Sequence, residues 1–149
     1  SRVKSMDTAD QTETLCAESA AELHELTSHP KYGRIGGDAF KSWCSGIQPA
    51  AGRPGVIEKG GVWVDRGYGC CLIGAALIGK PVGSGGDGEY SDTRAMYDLN
   101  SEETDHMWSA FDNALETERR GDPLPENASE AYRFGRAARI LAQKIFGEF

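Results

Sequence analysis

Residues 100–120, NSEETDHMWSAFDNALETERR, decide the fold because they carry the clearest signals of a long amphipathic helix. Asn100 is a preferred N-cap residue, and Glu103 stands where a capping box places its acidic partner. The apolar residues recur at helical spacing: Met107, Trp108, Phe111, Ala114 and Leu115. Gly121 and Pro123 then end the helix. The stretch therefore predicts a helix with one face in a core.

A second amphipathic helix is predicted over 129–147, SEAYRFGRAARILAQKIFG. Its apolar stripe consists of Phe134, Ala138, Leu141 and Ile145. Four basic residues are placed around its other side: Arg133, Arg136, Arg139 and Lys144. Because arginine suits bidentate contacts, these residues, together with Arg119 and Arg120, form a candidate binding surface for an acidic or phosphate-bearing partner. The default interpretation is an ordinary solvated helix face, with the acidic first helix as its internal partner.

The first helix is predicted over residues 8–27, ending before Pro30 and the glycines at 33, 36 and 37. Its exposed side is acidic, whereas the last helix is basic. Oppositely charged faces of this kind pair either within one molecule or between subunits, and the sequence leaves both alternatives open. His24 and His29 flank the helix end and are interpreted as solvated.

The run CCLIGAALIG, residues 70–79, is too long and alanine-rich for a strand. We predict a helix over 69–78, and because it is apolar all round we place it at the centre of the core. A shorter helix is expected from Asp38 to Gly46. The other expected elements are a hairpin at about 56–65, a flexible glycine-rich loop at about 82–92 and a helical turn at 93–99.

The expected architecture is a single mainly α domain over residues 1–149. It has four to five helices and one small β-hairpin, which makes it α+β at the margin. A chain of 149 residues is long enough to bury one core.

Composition narrows the class of protein. The net charge of −7 disfavours binding to a phosphate backbone, so we do not expect a nucleic-acid partner. No run of about 18 apolar residues occurs, so no membrane partner is expected. We expect reduced thiols and a cytoplasmic protein. Secretion is left open because the chain begins at Ser1 rather than Met.

The adjacent cysteines Cys70 and Cys71 are the clearest candidates for catalytic residues in the sequence. A cysteine in the first turn of a helix has a lowered pKa, as in thiol nucleophiles that use a histidine base. His106 is the one histidine downstream of the pair. The structural alternative is that both cysteines pack in the core, since free cysteine is among the most buried residue types.

No metal or cofactor is expected. The sequence lacks the C-x-x-C pairs of the strong zinc patterns. Cys16 and Cys44, or either with Cys70, could meet in space, although their spacing does not predict it. The glycine run at 83–88 lacks the Lys and Ser or Thr of a phosphate-binding loop.

The helix containing Cys71-Leu72-Ile73-Gly74-Ala75-Ala76, followed by a capped helix with Phe111-Asp112-Asn113, resembles a loose group of small, mostly uncharacterised bacterial and bacteriophage proteins. Those proteins carry a C-x-x-G-A-A or C-x-x-G-A-L helix. The resemblance spans about the last 80 residues of the chain, and it implies a helical fold and a bacterial or phage origin.

Two functional hypotheses follow. The first is a non-enzymatic module that binds protein and associates with itself as a homo-oligomer, based on the complementary charged helices. The second is a thiol-dependent enzyme for acyl transfer, hydrolysis or redox chemistry, using Cys70 or Cys71 with His106 as base.

Overall fold

The computed structural model describes residues 17–52, 56–58, 62–64, 70–81, 88–119, 124–147 and 149. Within them the chain forms six helices and one two-stranded hairpin. In chain order these are α1 (Ala20–Thr27), α2 (Gly33–Cys44), β1 (Val56–Glu58), β2 (Val62–Val64), α3 (Leu72–Leu77), α4 (Gly88–Tyr97), α5 (Ser101–Arg119) and α6 (Glu130–Phe146). The mainly helical prediction is confirmed, with one helix more than expected. Residues 8–16, the first part of the helix predicted over 8–27, lie outside the described residues, and so does the glycine-rich stretch at 82–87.

The predicted hairpin is confirmed. Its strands are antiparallel, with Val56 opposite Val64, Ile57 opposite Trp63 and Glu58 opposite Val62. The turn between the strands lies outside the described residues.

Helix α5 begins with the predicted capping box. The backbone N–H of Asn100 donates to Glu103 Oε1 at 3.0 Å, and the N–H of Glu103 donates to Asn100 Oδ1 at 2.8 Å. Met107 and Phe111 are fully buried, as the stripe requires. Two otherwise unpaired N-terminal groups are thus satisfied, which fixes where the helix starts.

The most extensive helix packing in the described residues joins α5 and α6. Small residues form a stripe along α6, namely Ala131, Gly135, Ala138 and Ala142, and all four are buried. A Cβ atom added to Gly135 would lie 2.3 Å from the backbone oxygen of Met107. The two backbones therefore approach as closely as the absence of a side chain permits.

Helix α3 lies at the centre of the core, as predicted, and each of its six residues is fully buried. Side chains from neighbouring helices hydrogen-bond its backbone: Ser42 Oγ donates to the Ala75 oxygen at 2.8 Å, and the Tyr97 hydroxyl donates to the Ala76 oxygen at 3.1 Å. The helix begins three residues later than predicted, because the Cys70 N–H instead donates to the Gln48 oxygen at 2.8 Å.

Two expectations about glycine were wrong. Gly33, Gly36 and Gly37 were expected to end the first helix and Asp38 to begin the next, but α2 begins at Gly33 and contains all three glycines. Cβ atoms added to Gly33 and Gly36 would meet the Thr27 oxygen at 2.2 Å and the Phe134 ring at 2.7 Å, so these two glycines permit close packing. The predicted loop at 82–92 was likewise too long, because α4 starts at Gly88. The local composition, rich in glycine and acidic residues, disfavours a helix here. Tertiary packing of Thr93 and Tyr97, which are both buried, stabilises it.

In the described ranges we find no helix that is both long enough and apolar enough to span a bilayer.

Candidate functional site

Both members of the cysteine pair lie in the core. Cys70 and Cys71 are thiols with no exposed surface. Cys71 is the N-cap of α3, and its Sγ accepts the backbone N–H of Gly74 at 3.5 Å. The thiol thus stands at the start of a helix, as the enzyme hypothesis requires, but a substrate could reach it only if the core opened.

The proposed base, His106, lies in a different environment. Its Nδ1 is 2.8 Å from the hydroxyl of Ser129, which is the N-cap of α6. This pair lines a polar pocket of about 240 Å³, formed by Lys31, Tyr32, Asn100, Glu102, Glu103, His106, Ser129, Glu130 and Ala131. Neither cysteine belongs to the lining, so the pocket does not bring the three candidate catalytic residues together.

We expect Cys70 and Cys71 to resist alkylation in the native protein. Because both are buried, their reaction should be about 100-fold slower than in denaturant, reflecting rare opening of the core. Iodoacetamide labelling from about pH 5 to about pH 9, followed by peptide mass spectrometry, measures each rate. Fast native labelling of Cys71, with an apparent pKa well below about 8.5, would contradict this expectation and support the thiol enzyme.

The four basic residues predicted as one binding surface do not share a face. Arg133 and Lys144 are exposed and Arg136 is half-buried, but Arg139 is 1% exposed. With 3.6 residues per turn, Arg139 points about 120° away from Arg133 around the helix, whereas Lys144 lies within about 20° of it. Arg139 is therefore a core residue, and only the others can meet a partner.

Arg139 donates additional hydrogen bonds to backbone oxygens inside α5 and at Phe149. Its guanidinium donates to the Phe111 oxygen at 2.7 Å, to the Asp112 oxygen at 3.3 Å and to the backbone oxygen of Phe149. The Phe149 ring stacks on it at 4.2 Å. Burial lowers the pKa of Arg139, while the nearby Asp112 carboxyl acts in the opposite direction.

A groove of about 470 Å³ lies between α1 and α6 and is here called the α1–α6 groove. It is lined by Glu22, Glu25, Leu26, His29, Glu130, Arg133, Phe134, Ala137, Ile140, Leu141 and Lys144. Its floor is apolar. Ile140, at 36% exposure, is the one large apolar side chain that the described residues expose.

The charged rims of the groove are opposite in sign. The α1 rim carries Glu22 and Glu25, and the α6 rim carries Arg133 and Lys144. Lys144 Nζ lies 2.5 Å from Glu22 Oε1, so the acidic and basic helices do pair within one molecule. Within the part of the chain that the structure describes, Glu25 and Arg133 have no ion-pair partner.

His29 closes one end of the groove, so the expectation that it is solvated was wrong. Its Nδ1 accepts the backbone N–H groups of Lys31 and Tyr32 at 3.1 and 3.0 Å, and its Nε2 lies 2.9 Å from Glu130 Oε1. Two donors to Nδ1 assign the proton to Nε2, which then donates to the carboxylate. The side chain thereby joins the α1–α2 turn to the start of α6.

Glu103 links this region to α5. Its carboxylate accepts the Tyr32 hydroxyl at 2.6 Å and pairs with Lys31 Nζ at 2.6 Å. Burial by itself would raise the pKa of Glu103, but the bonds from Lys31, Tyr32 and Asn100 outweigh it and hold the pKa below its ordinary value of 4.5. The capping residue of α5 thus also anchors α2.

Replacing Glu103 with glutamine should destabilise the protein at neutral pH by about 1 kcal/mol. Because the folded-state pKa is depressed, the carboxylate contributes stability that is present above the ordinary pKa of 4.5 and lost as the pH falls through the folded value. The difference between wild type and Glu103→Gln should therefore shrink on acidification. Urea unfolding from about pH 7 to about pH 3 measures it.

The control for that experiment is Glu102→Gln, which removes an exposed carboxylate from the same turn of α5. A difference between wild type and Glu103→Gln that stays constant or grows toward acid pH would contradict the assigned hydrogen bonds.

Cys44 departs from the expectation of reduced thiols, because it is disulfide-bonded. Cys70 and Cys71 remain thiols. The expectation failed because cysteine spacing along a chain does not determine which thiols meet in the fold.

Comparison with protein-family models, curated proteins and solved structures found no match. No group of three or more potential metal ligands occurs in the portion of the chain described by the structure. No sequence motif indicates the groove, although the opposite charges of its two helices are visible in the sequence. Ile140, which stands between Arg133 and Lys144 on one face, was the residue that could have located it.

Proposed function

We propose that this protein is a non-enzymatic module that binds protein through the α1–α6 groove. Its resemblance to small bacterial and bacteriophage proteins suggests the same origin. Self-association is part of the proposal, because a groove with rims of both signs can recognise a surface like its own.

The observation that carries the proposal is the combination of an apolar floor with oppositely charged rims. Leu26, Phe134 and Leu141 form the floor, and the exposed Ile140 projects beside it. An apolar centre surrounded by polar groups is the usual anatomy of a protein interface. A groove between two helices commonly receives the apolar face of a third helix.

A second candidate function is the thiol-dependent enzyme. It is favoured by the position of Cys71, whose Sγ accepts a backbone N–H at the start of α3. Such a bond stabilises a thiolate relative to a thiol. This function requires an opening that exposes the core thiols, and the alkylation experiment above tests it directly.

The compartment in which the protein works is also a proposal. Cytoplasmic location was expected from reduced thiols, but the disulfide at Cys44 favours an oxidising compartment instead. Intact mass of the purified protein with and without reductant tests this: retention of the disulfide in material isolated under thiol-blocking conditions supports export. Complete alkylation of Cys44 in that material would support the cytoplasm.

Ile140→Asp tests the binding function, since a carboxylate at the centre of the groove opposes apolar contact. Ala95→Asp, at an exposed position on α4 outside the groove, adds the same charge and is the matched control. Self-association is followed by sedimentation velocity from about 10 to about 500 µM, and partners by capture on immobilised protein. We expect Ile140→Asp to weaken association about tenfold or more.

The proposal fails if the wild-type protein is monomeric at the highest concentration and captures no protein that the Ile140→Asp variant fails to capture. Equal effects of Ile140→Asp and Ala95→Asp would also count against the groove as the binding surface.

A further inference from the structure

We infer that the occupant of the α1–α6 groove is the same groove of a second copy, related by a two-fold axis that runs along the groove. This inference rests on the proposed function and specifies its partner and its geometry.

The two helices of the groove are antiparallel. Glu22, near the start of α1, pairs with Lys144 near the end of α6, whereas His29, beyond the end of α1, pairs with Glu130 at the start of α6. These two pairs show which residues of α1 and α6 stand opposite each other at each end of the groove. Glu25 lies about one turn from Glu22, in the direction of Arg133.

The charged rims select one symmetry. When two copies meet face to face, the two-fold axis lies in the plane of contact, and its limiting directions are across the groove or along it. An axis across the groove places α1 on α1 and α6 on α6, so that rims of like charge meet. An axis along the groove places each α1 rim on the partner's α6 rim, so that opposite charges meet.

A two-fold axis along the groove also leaves the position of each residue along the groove unchanged. Glu22 of one copy then approaches Lys144 of the other at the end where the two already pair within each copy. Glu25 then faces the stretch of the partner's α6 between Lys144 and Arg133. Ile140 and Ala137 of both copies meet in the apolar middle, which removes from water the one large apolar side chain exposed by the described residues.

Charge reversal at Glu25 and Arg133 tests this geometry. Neither side chain has an ion-pair partner within the described residues, so reversal breaks no described ion pair; Arg133→Glu does remove the hydrogen bond from Arg133 Nε to the Ala128 oxygen at 3.3 Å. In a homodimer of Glu25→Arg each new arginine faces the partner's basic α6 rim, and in a homodimer of Arg133→Glu each new glutamate faces the partner's acidic α1 rim. A heterodimer of the two variants has opposite charges at both contacts.

We expect each variant alone to dimerise about tenfold more weakly than wild type, and an equimolar mixture to recover the wild-type affinity within about threefold. Sedimentation velocity gives the dissociation constants, and native mass spectrometry identifies the heterodimer, because the three possible dimers differ in mass. Asp105→Arg, at an exposed position of α5 outside the groove, is the control for a change in net charge. Circular dichroism confirms that the variants fold.

Two results overturn the inference. A dimer that forms equally in wild type, both variants and their mixture places the contact elsewhere. A full-length chain that is monomeric at about 500 µM excludes the second copy. If that monomer still captures another protein in an Ile140-dependent way, the groove has a different occupant, and protein binding through the groove stands without self-association; if it captures none, both proposals fail.

Discussion

Replacing Gly135 with alanine is expected to destabilise the protein by about 3 kcal/mol or more. The added Cβ would lie 2.3 Å from the Met107 oxygen and 3.0 Å from its Cα. These are backbone atoms of α5, so the contact cannot be relieved by turning a side chain. Relief requires that α5 and α6 separate, which opens the packing along the small-residue stripe of α6.

Gly37→Ala is the matched control for that substitution. Gly37 also lies inside a helix, but its added Cβ would be 3.7 Å from Thr27 Cγ2, an ordinary contact. Because alanine favours a helix more than glycine does, Gly37→Ala should stabilise the protein by about 0.5–1 kcal/mol. Urea or guanidinium unfolding measures both changes. Equal stabilities of Gly135→Ala and wild type would show that the helices are not in backbone contact.

Replacing Arg139 with methionine is expected to cost about 2–3 kcal/mol. Methionine fills much of the same space, but the hydrogen bonds from the guanidinium to the backbone oxygens of Phe111, Asp112 and Phe149 are lost. The stacking of the guanidinium on the Phe149 ring is lost as well. The loss comes mainly from these hydrogen bonds, because a buried hydrogen bond from a charged donor contributes more than one between neutral groups.

The control for Arg139→Met is Arg133→Met, which makes the same substitution at an exposed position on the same helix. Its effect on unfolding should stay within about 0.5 kcal/mol. Arg139→Lys should recover only part of the loss, because an ammonium group cannot reproduce the planar fork that reaches several oxygens. If Arg139→Met and Arg133→Met unfold at the same denaturant concentration, the hydrogen bonds of Arg139 are not structural.

The helices of the second half could be predicted because local rules and the tertiary fold agree there. Asn100 and Glu103 form the capping box that their spacing indicates, and the apolar stripe of α6 is buried as the period requires. The position of α3 followed from its composition, since a run with no polar face has no stable place outside a core.

The remaining features depend on which elements meet. Gly33 and Gly36 have the composition of a break between helices, and only the contacts with Thr27 and Phe134 show why they belong inside one. The candidate site depends on the same kind of information. The charges of α1 and α6 are visible in the sequence, but the groove exists because Leu26 and Phe134 pack beneath them.

The six residues of α3 have a further consequence for how the chain reaches its native state. A helix this short gains too few hydrogen bonds to offset the entropy of its first turn, so it has no stability of its own in water. Its backbone is held by donors from Ser42 and Tyr97, which belong to two other helices. The centre of the molecule therefore takes shape only as its surroundings assemble, and in folding α3 follows the outer helices rather than nucleating them.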